Sequence, residues 1–525
     1  MKYISNQLPG KDMVIEKLLS TLPVSPFVLI ALCVVYGLLS FRINQKKYHH
    51  IPGPQPWPII GNFLDIKPYL TGSSTVQDCF LKWTLRYGSL FKLWIGNKPW
   101  ILVSDPEYIK EILCGKNFPK DPTYYSPIGT LYGQRFAGGG SAIQTNPHKY
   151  DQQKKITTMA YHKKYLPKHC QATLSVAGRW MSSLESETEW FPICDTLDHL
   201  STTCLCKIAF GMDVPFDQNG DQTAVYQMVN TCFDGIKDKL FNPLGCTLHL
   251  KKVEKVRRAA KNLREVGENF IRGTYEKIRK GEKFPDAMFS YVLQEIHEAG
   301  GSFSLEEIID EFIVQFVAGT ETTSNLMKFL LMEVTKNPHV YERLQEEVDR
   351  VMSQTTPETF LNDLNGMNYL EQILQETLRL YPVAVATTRT NYSDQVLGKT
   401  LIPAGSTIMV CFHVLHRHPG HFDRPNTFDP DRWAPGQPAP MPFTYLPFST
   451  GMRGCPGKHL ARLECKIMIA NLFYHYHLEC HPDQNYEVAT TLASRPKYKF
   501  YVKMTNRGKP RTLFEDVDFV SPTER

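Results

Sequence analysis

The sequence is short of net charge. Lys and Arg number 59 against 53 Asp and Glu, leaving +6 over 525 residues. So thin an excess does not support nucleic-acid binding through bulk charge, and any basic patch has to be local. A cysteine framework is also missing. The 13 cysteines are odd in number and scattered from Cys33 to Cys480, which argues against a disulfide scaffold and fits a reducing compartment. No internal repeat or second composition regime is present, and 42% hydrophobic with 21% charged residues excludes disorder, collagen and a coiled-coil rod. Length permits two to four domains or one large enzyme fold with an anchor.

Charge is absent between Lys17 and Arg42. Within that gap Val24–Phe41 supplies 18 mostly apolar residues, the short end of what crosses about 30 Å of hydrocarbon. This predicts one membrane helix over about 24–41, within an N-terminal region 1–41. A cleaved signal peptide is the competing reading, but no small-residue A-x-A site follows, and Arg42, Lys46 and Lys47 stop the run. Lys2, Lys11 and Lys17 balance those three, so charge does not orient the helix. The sequon Asn391-Tyr392-Ser393 matters only if the body lies in a lumen. Prolines from Pro52 to Pro58 cannot continue a helix and read as an extended spacer within a linker at 42–60. A body over 61–507 and a polar tail over 508–525 follow.

Leu90 to Ile95 and Trp100 to Val103 predict two short strands around Gly96-Asn97-Lys98, and Ser104-Asp105-Pro106 starts a helix. Helical patterns dominate to about residue 380. One opens with Ser304-Leu-Glu-Glu307, a capping box, and can run to Asn337-Pro338, some 45 Å at about 1.5 Å per residue. The body is therefore mainly α with small β-sheets.

The most specific segment is Phe448-Ser-Thr-Gly451-Met-Arg453-Gly-Cys455-Pro-Gly457, leading into a helical stretch from Lys458. It is not a phosphate loop, because five rather than four residues separate Gly451 from Gly457 and Lys458 is followed by His459. A cysteine at a helix N-terminus meets unpaired N–H groups and the helix dipole, which favour a metal-ligating thiolate. The segment resembles the haem-ligand loop of the cytochrome P-450 family, F-x-x-G-x-R-x-C-x-G, at every defined position. The resemblance implies haem b, with Cys455 as the axial iron ligand, Phe448 in the loop, Gly451 and Gly457 close to the macrocycle, and Arg453 on a haem propionate.

Other family motifs follow the family's order. Glu376-Thr-Leu-Arg379 matches E-x-x-R, whose i and i+3 positions share a helix face. Pro430-Asp-Arg432-Trp433 resembles P-E-R-F, so the resemblance puts Arg432 in a buried network with Glu376 and Arg379, and Arg389 at a second propionate position. Ala318-Gly319-Thr320-Glu321-Thr322-Thr323 resembles the oxygen-activation motif: Ala318 and Gly319 leave room over the iron, while the Glu321–Thr322 pair relays protons. The competing reading of Thr322 is a helical hydroxyl bonded to its own i−4 carbonyl. Where the family often has W-x-x-x-R, this chain has Tyr150 and Lys154, a point charge in place of a fork.

Lys458, Arg462 and Lys466 recur at i, i+4 and i+8. They form either a solvated face or a docking surface for the separate NADPH-fed reductase that microsomal family members use. Lys120-Asp121 with the Tyr- and Gly-rich segment to Gly140, and the stretch Phe428 to Phe448, look most similar to the cholesterol 24-hydroxylase branch. Expected pocket residues are apolar: Tyr124, Tyr125, Ile128, Leu131 and Tyr132, then Val314 and Ala318, then Val385 and Ala386. Such a lining suits a lipophilic substrate. The resemblance implies the P-450 fold with one N-terminal transmembrane helix, and an oxygen- and NADPH-dependent monooxygenase on the cytosolic face of the endoplasmic reticulum, acting on a sterol side chain. A fatty-acid or xenobiotic hydroxylase, a haem-thiolate isomerase needing no reductase, and a haem sensor are the alternatives.

Overall fold

The computed structural model describes residues 26–116, 118–185, 189–214, 223–241, 249–301, 303–490 and 493–510. The body is mainly helical. Its helices include α1 (Pro26–Lys47), α2 (Pro147–Ala160), α3 (Ile193–Phe210), α4 (Leu250–Lys280), α5 (Leu305–Lys336), α6 (Asn368–Leu380) and α7 (Lys458–His475). The capping box works as the sequence predicts: Ser304 and Glu307 bond each other's backbone at the start of α5, and Asn337 ends it. Nearly every side chain from Ile308 to Val334 is buried, so α5 is the axle of the main core. The expected hairpin is present as Leu90–Ile95 and Lys98–Val103, continued by Thr407–Cys411 and Ala386–Thr390 in a four-stranded sheet.

One segment crosses α5 at very close range. A Cβ at Gly138, which has φ +50, would collide with the Asp310 carboxylate, and one at Gly140 would collide with Val314. The glycine run is the clearance for this crossing. Asp310 then takes bonds from Arg135 Nη2 (2.6 Å), Arg264 Nη1 (2.7 Å) and the Gly139 N–H (3.0 Å), joining the run, α4 and α5.

Two expectations meet a different structure, and the sequon proves to be buried. Among the described residues no helix is long and apolar enough to cross a membrane, so the spanning helix expected over 24–41 is not found. Residues 26–47 are helical, with Leu32, Tyr36 and Leu39 exposed, but Phe41 is buried against Trp94 at 5.2 Å. The proline-rich stretch is not a free spacer: Ile51 is buried, and the Pro52 carbonyl accepts the Lys92 N–H at 2.7 Å, pinning the segment to the first strand. Asn391 is buried, and its amide donates to the Ser393, Ile402 and Pro403 carbonyls, so the sequon is not presented as an acceptor. Most of the 508–525 tail lies outside the described residues.

Behind the cysteine loop, Glu376 and Arg379 are fully buried and doubly bonded at 2.8 Å. Arg379 also donates to the His416, Pro425 and Thr427 carbonyls. Arg432 joins only as an ion pair, its Nε 3.5 Å from Glu376, whereas the Trp433 indole N–H makes a 2.9 Å hydrogen bond to the same carboxylate. Trp433 stands where the resembling motif has Phe, which offers no donor, and only the folded arrangement reveals its bond.

Two outcomes follow. Trp433→Phe keeps an aromatic side chain but leaves Glu376 one charge-assisted bond short, which should cost about 1.5–3 kcal/mol in chemical denaturation. Glu464 on α7 is buried with no hydrogen bond or ion pair among the described residues, and burial pushes its carboxyl up to about 8. The folded chain thus keeps a proton that the unfolded chain releases near pH 4.3, and stability should fall as pH rises from about 4.3 to about 8. Glu464→Gln should remove that slope in denaturation curves and be the more stable protein at about pH 8.

Candidate active site

Cys455 lies just before α7, with its N–H donating to the Phe448 carbonyl at 2.8 Å. Its side chain is exposed in the protein alone, although burial by surrounding atoms pushes the thiol up. The Gly457 N–H, Lys458 and Lys120 oppose that push. The helix start therefore assists a thiolate without producing one by itself, and a coordinating metal ion deprotonates a thiol outright. Gly451 has φ +72, and a Cβ there would strike the Leu113 carbonyl. Its smallness thus serves backbone packing. Gly457 has φ −81, and an added Cβ would meet only Tyr161, at 3.5 Å.

Three cations gather beside this loop. Arg389 is 1% exposed and donates to Thr387 Oγ1 (2.5 Å) and the Thr388 carbonyl (2.9 Å). Arg453 donates to the Gln144 carbonyl at 2.9 Å and stacks over the Tyr150 ring at 3.2 Å. Lys120 donates to the Ala142 carbonyl and lies 4.2 Å over Tyr125, its backbone bridged to that of Arg389. No carboxylate pairs with any of them among the described residues. Burial, then the other two cations, depresses Lys120 to about 8, and burial depresses Arg389 and brings Arg453 down to about 10. Burial raises the Tyr125 phenol, but Lys120 and Arg389 outweigh it and bring the group to about 8.

Arg389 is buried and Lys120 and Arg453 are half-buried, and cations withdrawn from water without counter-ions are costly. A dianionic ligand would relieve all three, so the residues present fit a haem with two propionates. Lys154, the cation expected there, is half-buried on α2 with no side-chain partner among the described residues. Lys120 stands in the cluster instead. In the sequence Lys120 stands only as part of the Lys120-Asp121 run, with nothing local that places it beside Arg389 and Arg453. Tyr150 is brought in as expected, bonding the Met452 carbonyl through its hydroxyl.

On α5, Ala318 is exposed in a helix whose other faces are buried, so it opens onto internal space. Gly319 does not: a Cβ there would press on Leu205 at 3.2 Å, so this glycine lets α3 pack against α5. The Thr322 hydroxyl donates to the Ala318 carbonyl at 2.7 Å, the i−4 bond, and its oxygen can still accept. Glu321 is half-buried, with no hydrogen bond or ion pair among the described residues. Burial raises its carboxyl, with Arg495 as the main opposing charge.

The expected pocket list is corrected in part. Leu131 is fully buried, Val314 packs on Gly140, and Tyr125 bonds Thr387 within the cation cluster, so these three belong to packing or to the cradle. Tyr124, Ile128, Tyr132 and Ala386 are half-buried, and Val385 is just buried. The basic stripe is also corrected. Lys466 is buried, and Glu371 pairs with both Arg462 and Lys466, leaving Lys458 as the exposed member.

With this geometry in hand, comparison with known proteins is direct. A family model described as Cytochrome P450 matches residues 51–504. Cytochrome P450 4c21 of Blattella germanica is 26% identical over 506 residues, covering 91% of this chain and 95% of its own. Cytochrome P450 3A29 of Sus scrofa is 25% identical over 468 residues, covering 85% and 88%. Thromboxane-A synthase of Rattus norvegicus is 26% identical over 540 residues, covering 91% and 96%. These relatives do not carry the narrower likeness to cholesterol 24-hydroxylases. The chain belongs to the cytochrome P450 family, and is an oxidoreductase, a monooxygenase whose haem takes NADPH-derived electrons from a reductase partner.

Proposed function

We propose that Cys455 would ligate the haem iron, that Lys120, Arg389 and Arg453 would hold the propionates, and that the protein hydroxylates a lipophilic substrate, with a sterol side chain as first candidate. The observation that carries this reading is a carboxylate-free trio of cations, Arg389 buried and Lys120 and Arg453 half-buried, beside an accessible cysteine. When bound, the haem supplies dioxygen activation, helped by the electron push of a thiolate ligand. The chain's own part is to orient, to exclude water and to move protons. Glu321, its carboxyl raised by burial, holds a proton nearer neutral pH than an exposed carboxylate does, and the Thr322 oxygen accepts one hydrogen bond while giving another to Ala318.

Substrate class is supported by the accessible apolar and aromatic groups Tyr124, Ile128, Tyr132, Ala318 and Ala386. The sterol preference rests on the branch resemblance, and on the smaller entropy a rigid ring system loses on binding compared with an acyl chain. Reconstituted turnover with cholesterol and a medium-chain fatty acid in parallel, with products identified by mass, tests it. Hydroxylated fatty acid without hydroxysterol rejects the sterol and leaves the monooxygenase intact.

An endoplasmic-reticulum location with a cytosolic body follows from the same resemblance. The exposed apolar residues of α1 support membrane contact. For the reductase, Lys458 with Lys163 offers exposed positive charge next to the cysteine loop, in place of the Glu371-bound Arg462 and Lys466.

Three outcomes test the site. Cys455→Ala should abolish the carbon monoxide difference band of thiolate-ligated ferrous haem, and its retention would overturn the ligand assignment. Lys120→Gln should speed haem transfer to an apoprotein scavenger roughly 10- to 100-fold, as expected for a lost charge-assisted bond, whereas Lys154→Gln should leave the rate within about twofold. Thr322→Ala should keep haem and substrate binding but divert electrons to peroxide, with product per NADPH falling by up to about 10²-fold.

A further inference from the structure

His416 lies on the short helix Phe412–Arg417 and is completely buried. Its backbone carbonyl accepts Arg379 Nη1 at 2.9 Å, tying it to the Glu376–Arg379 pair. Its ring makes a different connection: Nε2 accepts the Leu446 N–H at 2.9 Å. Leu446 stands two residues before Phe448, whose carbonyl takes the Cys455 N–H. An acceptor at Nε2 means a neutral ring with its proton on Nδ1, where no well-formed hydrogen bond is made among the described residues although the Leu378 and Arg379 backbone lies beside the ring. The one well-formed hydrogen bond of this ring is therefore the one Nε2 accepts, which an apolar side chain could not make.

The loop needs such a hold. Phe443 (φ 66) and Ser449 (φ 56) are non-glycine residues in left-handed backbone on either side of Leu446, a conformation that persists only where surrounding contacts over-determine it. The ring is fixed in turn. Tyr445 packs on it at 5.3 Å, meets Trp433 in a tilted contact at 4.5 Å and donates its hydroxyl to the Gln375 carbonyl at 3.0 Å.

We propose that His416 is a positioning residue for the thiolate: Nε2 hangs the start of the cysteine loop on the Glu376–Arg379 pair and so holds the sulfur on the iron. This rests on Cys455 being the ligand.

The experiment compares His416→Leu, which fills the space without an acceptor, with His416→Gln, whose Oε1 can take the Leu446 N–H. Both are prepared as haem-loaded full-length chains. Readouts are haem content, the thiolate-ligated fraction of the ferrous carbon monoxide complex, and the rate at which that form converts on warming. His416→Leu should bind haem but convert about tenfold faster, matching the loss of one buried hydrogen bond, and His416→Gln should return to within about twofold of wild type. A Leu variant that loses thermal stability but converts at the wild-type rate overturns the proposal, as does a Gln variant that behaves like Leu. If the Leu variant does not accumulate folded, the Gln variant decides alone: wild-type conversion supports the proposal, and faster conversion rejects it. A wild-type protein without the thiolate band, by contrast, refutes the Cys455 assignment itself.

Discussion

Three positive charges without a negative one among them are the condition on which this protein's organisation turns. Lys120, Arg389 and Arg453 come from separate parts of the chain: a loop before a short helix, an edge strand of the four-stranded sheet and the cysteine loop. Each is kept in place by carbonyl oxygens or hydroxyls, which orient a cation without neutralising it. Polar dipoles at that range hold the groups ready, and the burial that depresses all three makes a dianion the natural complement.

The surroundings divide into a stiff back and an open front. At the back, every oxygen of Glu376 is engaged and Arg379 reaches three carbonyls, so the stretch from Pro425 to Trp433 is bolted to α6. At the front, α5 presents Ala318 and a half-buried Glu321 between stretches of solid packing. The glycine crossing over Asp310 belongs to the stiff part as well. It fixes Ser141, whose N–H and hydroxyl bond Glu311 and whose carbonyl faces Arg453 at 3.4 Å, so the axle and the cation cluster share a strut.

Local signals were legible in the sequence, and tertiary ones were not. The capping box at Ser304, the hairpin around Gly96 and the Asp105-Pro106 helix start announce themselves, because each depends on neighbours within a few residues. The cysteine loop and the Glu376–Arg379 pair were legible as motifs. Lys120 was not read as part of the cation cluster, since its place there comes from Arg389 and Arg453 hundreds of residues away. Lys466 misled for the opposite reason: an i, i+4, i+8 stripe looks solvated until Glu371 on α6 is brought over it. Gly319 misled too, because a small residue makes room on whichever side a neighbour approaches, and here Leu205 approaches.

The end of α1 has a mechanical implication. Asn97, at the tip of the first hairpin, donates to the Gly37 carbonyl at 3.0 Å and receives Asn44 Nδ2 at 3.3 Å, while Lys47 reaches the Ala404 carbonyl and Tyr48 bonds Ser406. With Phe41 seated on Trp94, the helix is clamped from two sides rather than hinged. Whatever grips its exposed N-terminal half therefore steers the whole body as a rudder post steers a hull. A torque applied there passes directly into the sheet that carries Arg389.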